Sequence, residues 1–147
     1  MDESSKPQSI KAFLIVANDL LPGIRVLSPL SIHPRGCALL ASHVLECILK
    51  ALLLHKGINS TEIYNYKARH NLECLWKMAF CNGRSVNPPV WVCLLSFMHA
   101  APYYARYQQD NYGNIVGSGT YPPLMKTTKK LENLLKKVKR TIEGVSR

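Results

Sequence analysis

The segment from Pro34 to Lys56 constrains the fold more than any other part of the chain, because it has helical period and almost no polar side. Leu39, Leu40, Val44, Leu45, Ile48, Leu49, Leu52 and Leu53 cover most of a helical wheel. A helix that is apolar nearly all round must be surrounded by other elements. Pro34 can begin it, since the first turn needs no proline N–H, and Gly57 ends it. The exception to its apolar character is a strip carrying His43, Glu46 and Lys50. Measured from His43 at about 100° per residue, Glu46 lies at about −60°, Lys50 at about −20° and Cys47 at about 40°. Such a strip either forms an internal polar network that fixes helix packing or faces a ligand. Glu46 and Lys50 stand in the favourable i, i+4 order, which contributes only about 0.2–0.5 kcal/mol on an exposed helix. Breaking such a pair inside a domain costs about 3–5 kcal/mol.

The elements around this helix also read as helical. Ile10, Phe13, Leu14, Ala17 and Leu21 predict a first helix over about 8–21, stopped by Pro22-Gly23, with 24–33 as a connection that can hold one helical turn. Residues 1–7 are expected to be flexible. Ser60 or Thr61 can cap a short turn containing Ile63, Tyr64 and Tyr66. A helix over about 68–80 presents Leu72, Leu75, Trp76 and Ala79, and Asn82-Gly83 ends it. Another begins at Pro89 or Val90 and carries Trp91, Leu94, Leu95, Phe97, Met98 and Ala101, with Pro102 bending or restarting it. Residues 110–123, with Gly113, Gly117 and Gly119, read as a long loop. A basic amphipathic helix over about 126–145 closes the chain, with Leu131, Leu134, Leu135, Val138 and Ile142 on one face.

A chain of 147 residues with 47% apolar content fits a single domain that needs neither disulfides nor a metal to fold. The apolar run 38–54 is interrupted by Ser42, His43, Glu46 and Lys50, which argues against a clean membrane span, and no signal-like segment follows Met1. The expected location is the cytoplasm. The five cysteines lack zinc-knuckle spacing, and no histidine, cysteine and acid combination has the spacing of a metal site. No glycine-rich phosphate-binding fingerprint is present either, so neither a metal nor a cofactor is expected. The formal net charge of +10 favours an anionic partner, because association with a polyanion is driven largely by counterion release.

The order of these features resembles the HEPN family of small helical domains. The resemblance rests on AFLIVANDLLPG in the first helix, HVLECILKALLLHKG in the central one, ARHNLECLWKMA in the next, and YYARY after the fourth main helix. It implies an all-α, four- or five-helix up-and-down bundle around a buried helix at about 34–56, commonly dimeric, found in toxin-antitoxin, defence and nucleotidyltransferase-associated proteins. Many such proteins are similar in being metal-independent ribonucleases, with an arginine followed after four to six residues by a histidine. Arg106 matches the arginine by position, but Asn111 stands where the histidine is expected. An amide cannot move a proton near neutral pH.

Two functional readings follow. The leading one is a noncatalytic module, a homodimer, that binds RNA, nucleotide or a partner protein, with Arg106, Tyr103, Tyr107, Asn111, Lys50, Glu46 and His43 as candidate binding residues. Tyrosines beside an arginine can stack bases, and they serve protein interfaces equally well. The competing reading is a metal-independent endoribonuclease that uses Arg106 with a displaced histidine, His99 or His70. His70 can alternatively cap a helix, pair with Glu73 or approach the central strip. A structural protein-interaction domain is the third possibility.

Overall fold

A computed structural model describes residues 6–30, 34–63, 68, 70–81, 86–100 and 121–144, which form six α-helices and no strand. They are α1 (Lys6–Leu27), α2 (Pro34–His55), α3 (Ser60–Ile63), α4 (Leu72–Phe80), α5 (Val90–His99) and α6 (Leu124–Glu143). The all-helical expectation holds, and α2 is the central element: it touches each of the other five. Every residue from Val44 to Leu54 is buried, which encloses this part of the helix on all sides. By length and hydropathy α2 is also the one described helix able to cross a membrane, although 83% of that stretch is buried inside the bundle.

The first helix is longer than its sequence suggests. Pro22 lies inside α1, which continues to Leu27. Proline removes the N–H that would bond to the carbonyl four residues back and costs about 3 kcal/mol or more in a helix interior. The extra turn offsets this by burying Ile24 completely and packing Leu27 against the core, since a buried aliphatic side chain contributes about 1.5–3 kcal/mol. The stop expected at Pro22-Gly23 is therefore absent, and 24–27 form one further helical turn continuous with α1. The helix closes with the Ser28 N–H donating to the Ile24 carbonyl at 2.8 Å, just before Pro29.

Local chemistry sets the other boundaries. Gly57, at φ 88°, ends α2 with the Gly57 N–H on the Leu54 carbonyl and the Ile58 N–H on the Leu53 carbonyl. This paired closure is the glycine-ended helix stop that requires a left-handed residue. The Asn59 side chain, not Ser60 or Thr61, begins α3 by accepting from the Thr61 N–H at 2.9 Å. Tyr64 and Tyr66 lie outside the described residues. Asn71 caps α4 by accepting from the Cys74 N–H, so the helix begins at Leu72 and not at Ala68. The run 90–95 is helical, as its period indicates, and α5 stops at His99 with Ala100 extended. Pro102 and residues 110–120 lie outside the described residues.

α6 packs Leu131, Leu134, Leu135 and Val138 inward and ends at Gly144, at φ 73°. It contacts both α1 and α2, and Arg25 on α1 pairs with Glu132 on α6 at 2.8 Å. The described cysteines are free, and Cys37, Cys47 and Cys81 are buried as small apolar groups.

Because α2 has no exposed apolar side to spare, Leu53→Ala is expected to lower unfolding free energy by about 2–5 kcal/mol in chemical denaturation. Met125→Ala, at an exposed position on α6, should change it by less than about 0.5 kcal/mol. Equal effects at the two sites would contradict the central placement of α2.

Candidate functional site

The polar strip of α2 lies inside the bundle. Glu46 and Lys50 are each only 4% exposed, and the Glu46 carboxylate gathers polar groups from three parts of the chain. Its Oε1 lies 2.7 Å from His70 Nδ1 and 3.2 Å from His99 Nε2. Its Oε2 lies 3.6 Å from Lys50 Nζ and 3.7 Å from His43 Nδ1. An isolated carboxylate buried at this depth would be costly, and the four partners are what make its ionised form tolerable.

The positions of the two distant histidines follow from the helix ends that carry them. His70 immediately precedes Asn71, the cap of α4. Ser96 lies one turn before His99 on α5. The Ser96 hydroxyl donates to Asn71 Oδ1 at 3.3 Å and accepts from the Glu73 N–H at 3.3 Å. This tie fixes the start of α4 beside α5 and brings the His70 and His99 rings edge to face, 5.7 Å apart between centres. A capping residue thus does two things: it starts a helix and registers a histidine against the core.

The electrostatics agree with the geometry. Burial works to raise the Glu46 carboxyl, but His43, His99, Lys50 and His70 together outweigh it and hold the group far below the usual carboxylate range. Burial pushes the His70 imidazole below its ordinary value despite the neighbouring carboxylate; beside an ionised carboxylate, which can only accept, Nδ1 is the ring nitrogen placed to donate. His43 is raised, first by Cys47, whose Sγ lies 3.9 Å from Nε2, and then by Glu46. Its side chain is 44% exposed, so it marks the solvent end of the strip.

Five of the residues singled out from the sequence, His43, Glu46, Lys50, His70 and His99, therefore converge. His70 approaches the central strip, while Asn71 does the capping. His99 is fully buried and directed at Glu46. Arg106, Tyr103, Tyr107 and Asn111 lie outside the described residues. Spacing along the sequence showed no metal-site set, yet Glu46, His70 and His99, from separate segments, bring one ligand atom each within 4.8 Å of one another.

A second feature was not visible as a unit in the sequence. Trp76 and Phe80 on α4 lie 4.5 Å apart between ring centres with their planes tilted by 52°, and Trp91 on α5 meets Trp76 edge to face at 5.9 Å. Lysines from two other elements lie over these rings: Lys130 over Trp91 at 5.9 Å, Lys137 over Phe80 at 5.7 Å and Lys56 over Phe80 at 6.0 Å. Lys56 also donates to the Ala79 carbonyl. Lys130 and Lys137 are seven residues apart on α6 and so share one face. The helical period of α4 and α6 was legible separately, but their meeting was not.

The Glu46 network generates a pH dependence. A carboxyl held below its unfolded value, about 4.3 for glutamate, adds stability that is present above that value and is lost as pH falls toward the folded one. In urea titrations across this acid range, the wild type should lose stability more steeply than Glu46→Gln, and near neutrality the variant should be about 3–5 kcal/mol less stable. Identical acid slopes would show that the carboxylate is not held by these partners.

Among known proteins, no family model, no curated protein and no solved structure matches the chain, so its functional reading rests on the geometry itself.

Proposed function

We propose that this protein is a noncatalytic, HEPN-like helical module that binds RNA through the face where the lysines of α6 meet the aromatic cluster of α4 and α5. The observation that supports this most is the placing of Lys56, Lys130 and Lys137 over Trp91 and Phe80. Single-stranded RNA is held by such a combination: cations along the phosphates and ring faces on which bases stack. Trp76 and Phe80 are half-buried and keep part of their surface open, while Trp91 anchors the cluster in the core.

The charge distribution favours the same face. α6 carries six lysines and one arginine against Glu132 and Glu143, and Glu132 is engaged by Arg25. Lys126, Lys130, Asn133, Lys137 and Arg140 follow one another at four- and three-residue steps and are all exposed, so they form a continuous polar stripe. The apolar side of α6 is already used against α2. The stripe therefore lies off the α2-facing core, with Lys130 and Lys137 reaching the aromatic cluster, and is available to a polyanion.

Binding without cleavage is favoured over the endoribonuclease reading. A catalytic histidine must reach the proton it moves. His99 is buried with its Nε2 on Glu46, and His70 directs Nδ1 to the same carboxylate oxygen. Neither is presented by the described residues as a free acid or base beside an open groove. We further infer a homodimer acting in a defence or toxin-antitoxin-like setting, a part of the proposal that rests on the HEPN resemblance alone.

Fluorescence anisotropy with labelled single-stranded RNA over a salt series tests the RNA-binding reading. Affinity should fall with salt, and each phosphate neutralised contributes about 0.7 to the log–log slope. The Lys130→Ala/Lys137→Ala pair should lower that slope by about 1.4 and weaken binding without altering the fold. Absence of binding at low salt, or an unchanged slope in the double variant, would contradict the proposal. RNA cleavage by the wild type that Arg106→Ala abolishes would favour the endoribonuclease instead.

A further inference from the structure

We propose that Glu46, His70 and His99 form a binding site for a divalent first-row transition metal of the zinc class, joining α2, the residue before the α4 cap and α5. Two imidazole nitrogens and a carboxylate oxygen are donors that zinc accepts at about 2.0–2.2 Å, which separates neighbouring donor atoms by about 3.3–3.5 Å around a tetrahedral ion. The His99 Nε2 to Glu46 Oε1 distance, 3.2 Å, is already close to that value. His70 Nδ1, at 2.7 Å from the same oxygen, has to withdraw by about 0.6–0.8 Å, its ring proton moving to Nε2, to admit an ion. His70 is the least enclosed of the three, with 21% of its side chain exposed against none for His99. The adjustment therefore falls on the ligand best able to make it.

The carboxylate is divided in the way a ligating carboxylate needs. Oε1 faces the two imidazoles, while Oε2 is held by Lys50 and His43. An ion taking Oε1 leaves those contacts in place as the outer brace that orients a metal ligand. Lys50 opposes the added positive charge, which favours hydroxide or another small anion over neutral water in the fourth position. The partly open His70 side is where such a ligand has access.

One atom limits the affinity. An imidazole bound through Nε2 carries its proton on Nδ1, and His99 Nδ1 is buried with no hydrogen-bond partner among the described residues. Losing an outer-shell partner lowers metal affinity by about 10–100-fold. Binding is accordingly weaker than at a fully braced structural zinc site, and its effect is to clamp α2, α4 and α5 together.

Titration of tag-free, full-length protein with Co(II), followed by displacement with Zn(II), tests this inference. The expected result is saturable binding of a single ion per chain. Its visible cobalt spectrum should show nitrogen and oxygen ligands and lack a strong sulfur-to-metal charge-transfer band. His70→Gln, which removes a direct ligand, should weaken binding by more than the roughly 10–100-fold that loss of an outer-shell partner costs, with circular dichroism confirming that the helices persist. His55→Ala, at the exposed end of α2, should leave it unchanged. No saturable binding, a cysteine charge-transfer band, or undiminished affinity in folded His70→Gln would each overturn the proposal. If His70→Gln does not fold, the wild-type titration and its cobalt spectrum decide the matter alone.

Discussion

A carboxylate inside a helix that is otherwise apolar must be answered by the elements packed against that helix, and Glu46 is answered from two of them. Lys50 and His43 come from α2 itself, but His70 and His99 arrive from the start of α4 and the end of α5. Hydrophobic burial pulls α4 and α5 onto α2 without specifying how far along it they sit, because it is non-directional. Hydrogen bonds to one carboxylate have distances and angles to satisfy, and they specify that position. The Ser96–Asn71 contact repeats the constraint one turn away. Together they register the α4–α5 pair on the central helix, while α1 and α6 cover other sides of it through apolar contacts.

The bundle thus keeps its two kinds of polar chemistry apart. Around Glu46, opposite charges and imidazoles are drawn inside, where a low dielectric strengthens their interaction and makes any missing partner costly. On α6, like charges are spread over the outer face and screened by salt, where they contribute little to stability and much to the attraction of an anion. The aromatic cluster joins the two regions. Trp76 and Phe80 project from α4, the helix whose cap positions His70, and Trp91 and His99 stand near opposite ends of α5. A change in how α4 sits on α2 would therefore move Trp76 and Phe80 relative to Lys130 and Lys137.

Much of this was legible in the sequence, and what was not has physical reasons. The central helix, its Gly57 stop and the buried faces of α4, α5 and α6 follow from apolar period and local stop signals, which act within one element. Pro22 misled because its local penalty is outweighed by the burial of Ile24, a tertiary effect. Asn71 was overlooked because Ala68 continues the apolar pattern of α4, and only the cap hydrogen bond shows where that helix begins. At the site, the shared face of His43, Glu46 and Lys50 was predictable from helix geometry, and His70 was one candidate for joining it. The convergence of His99 was not, because it spans 53 residues of sequence. The meeting of α6 lysines with Trp91 and Phe80 is likewise a property of packing, invisible to spacing along the chain.

The tautomers of His70 and His99 report most directly on whether Glu46 organises the interior. Nitrogen-15 NMR of the imidazoles, recorded in the presence of a chelator, should find the His70 proton on Nδ1 and a His99 proton on Nε2. Both should exchange slowly with water, and both resonances should shift in Glu46→Gln. Rapidly exchanging ring protons, or a His70 proton residing on Nε2, would mean that the carboxylate does not hold these side chains and that the registration of α4 and α5 on α2 has another origin.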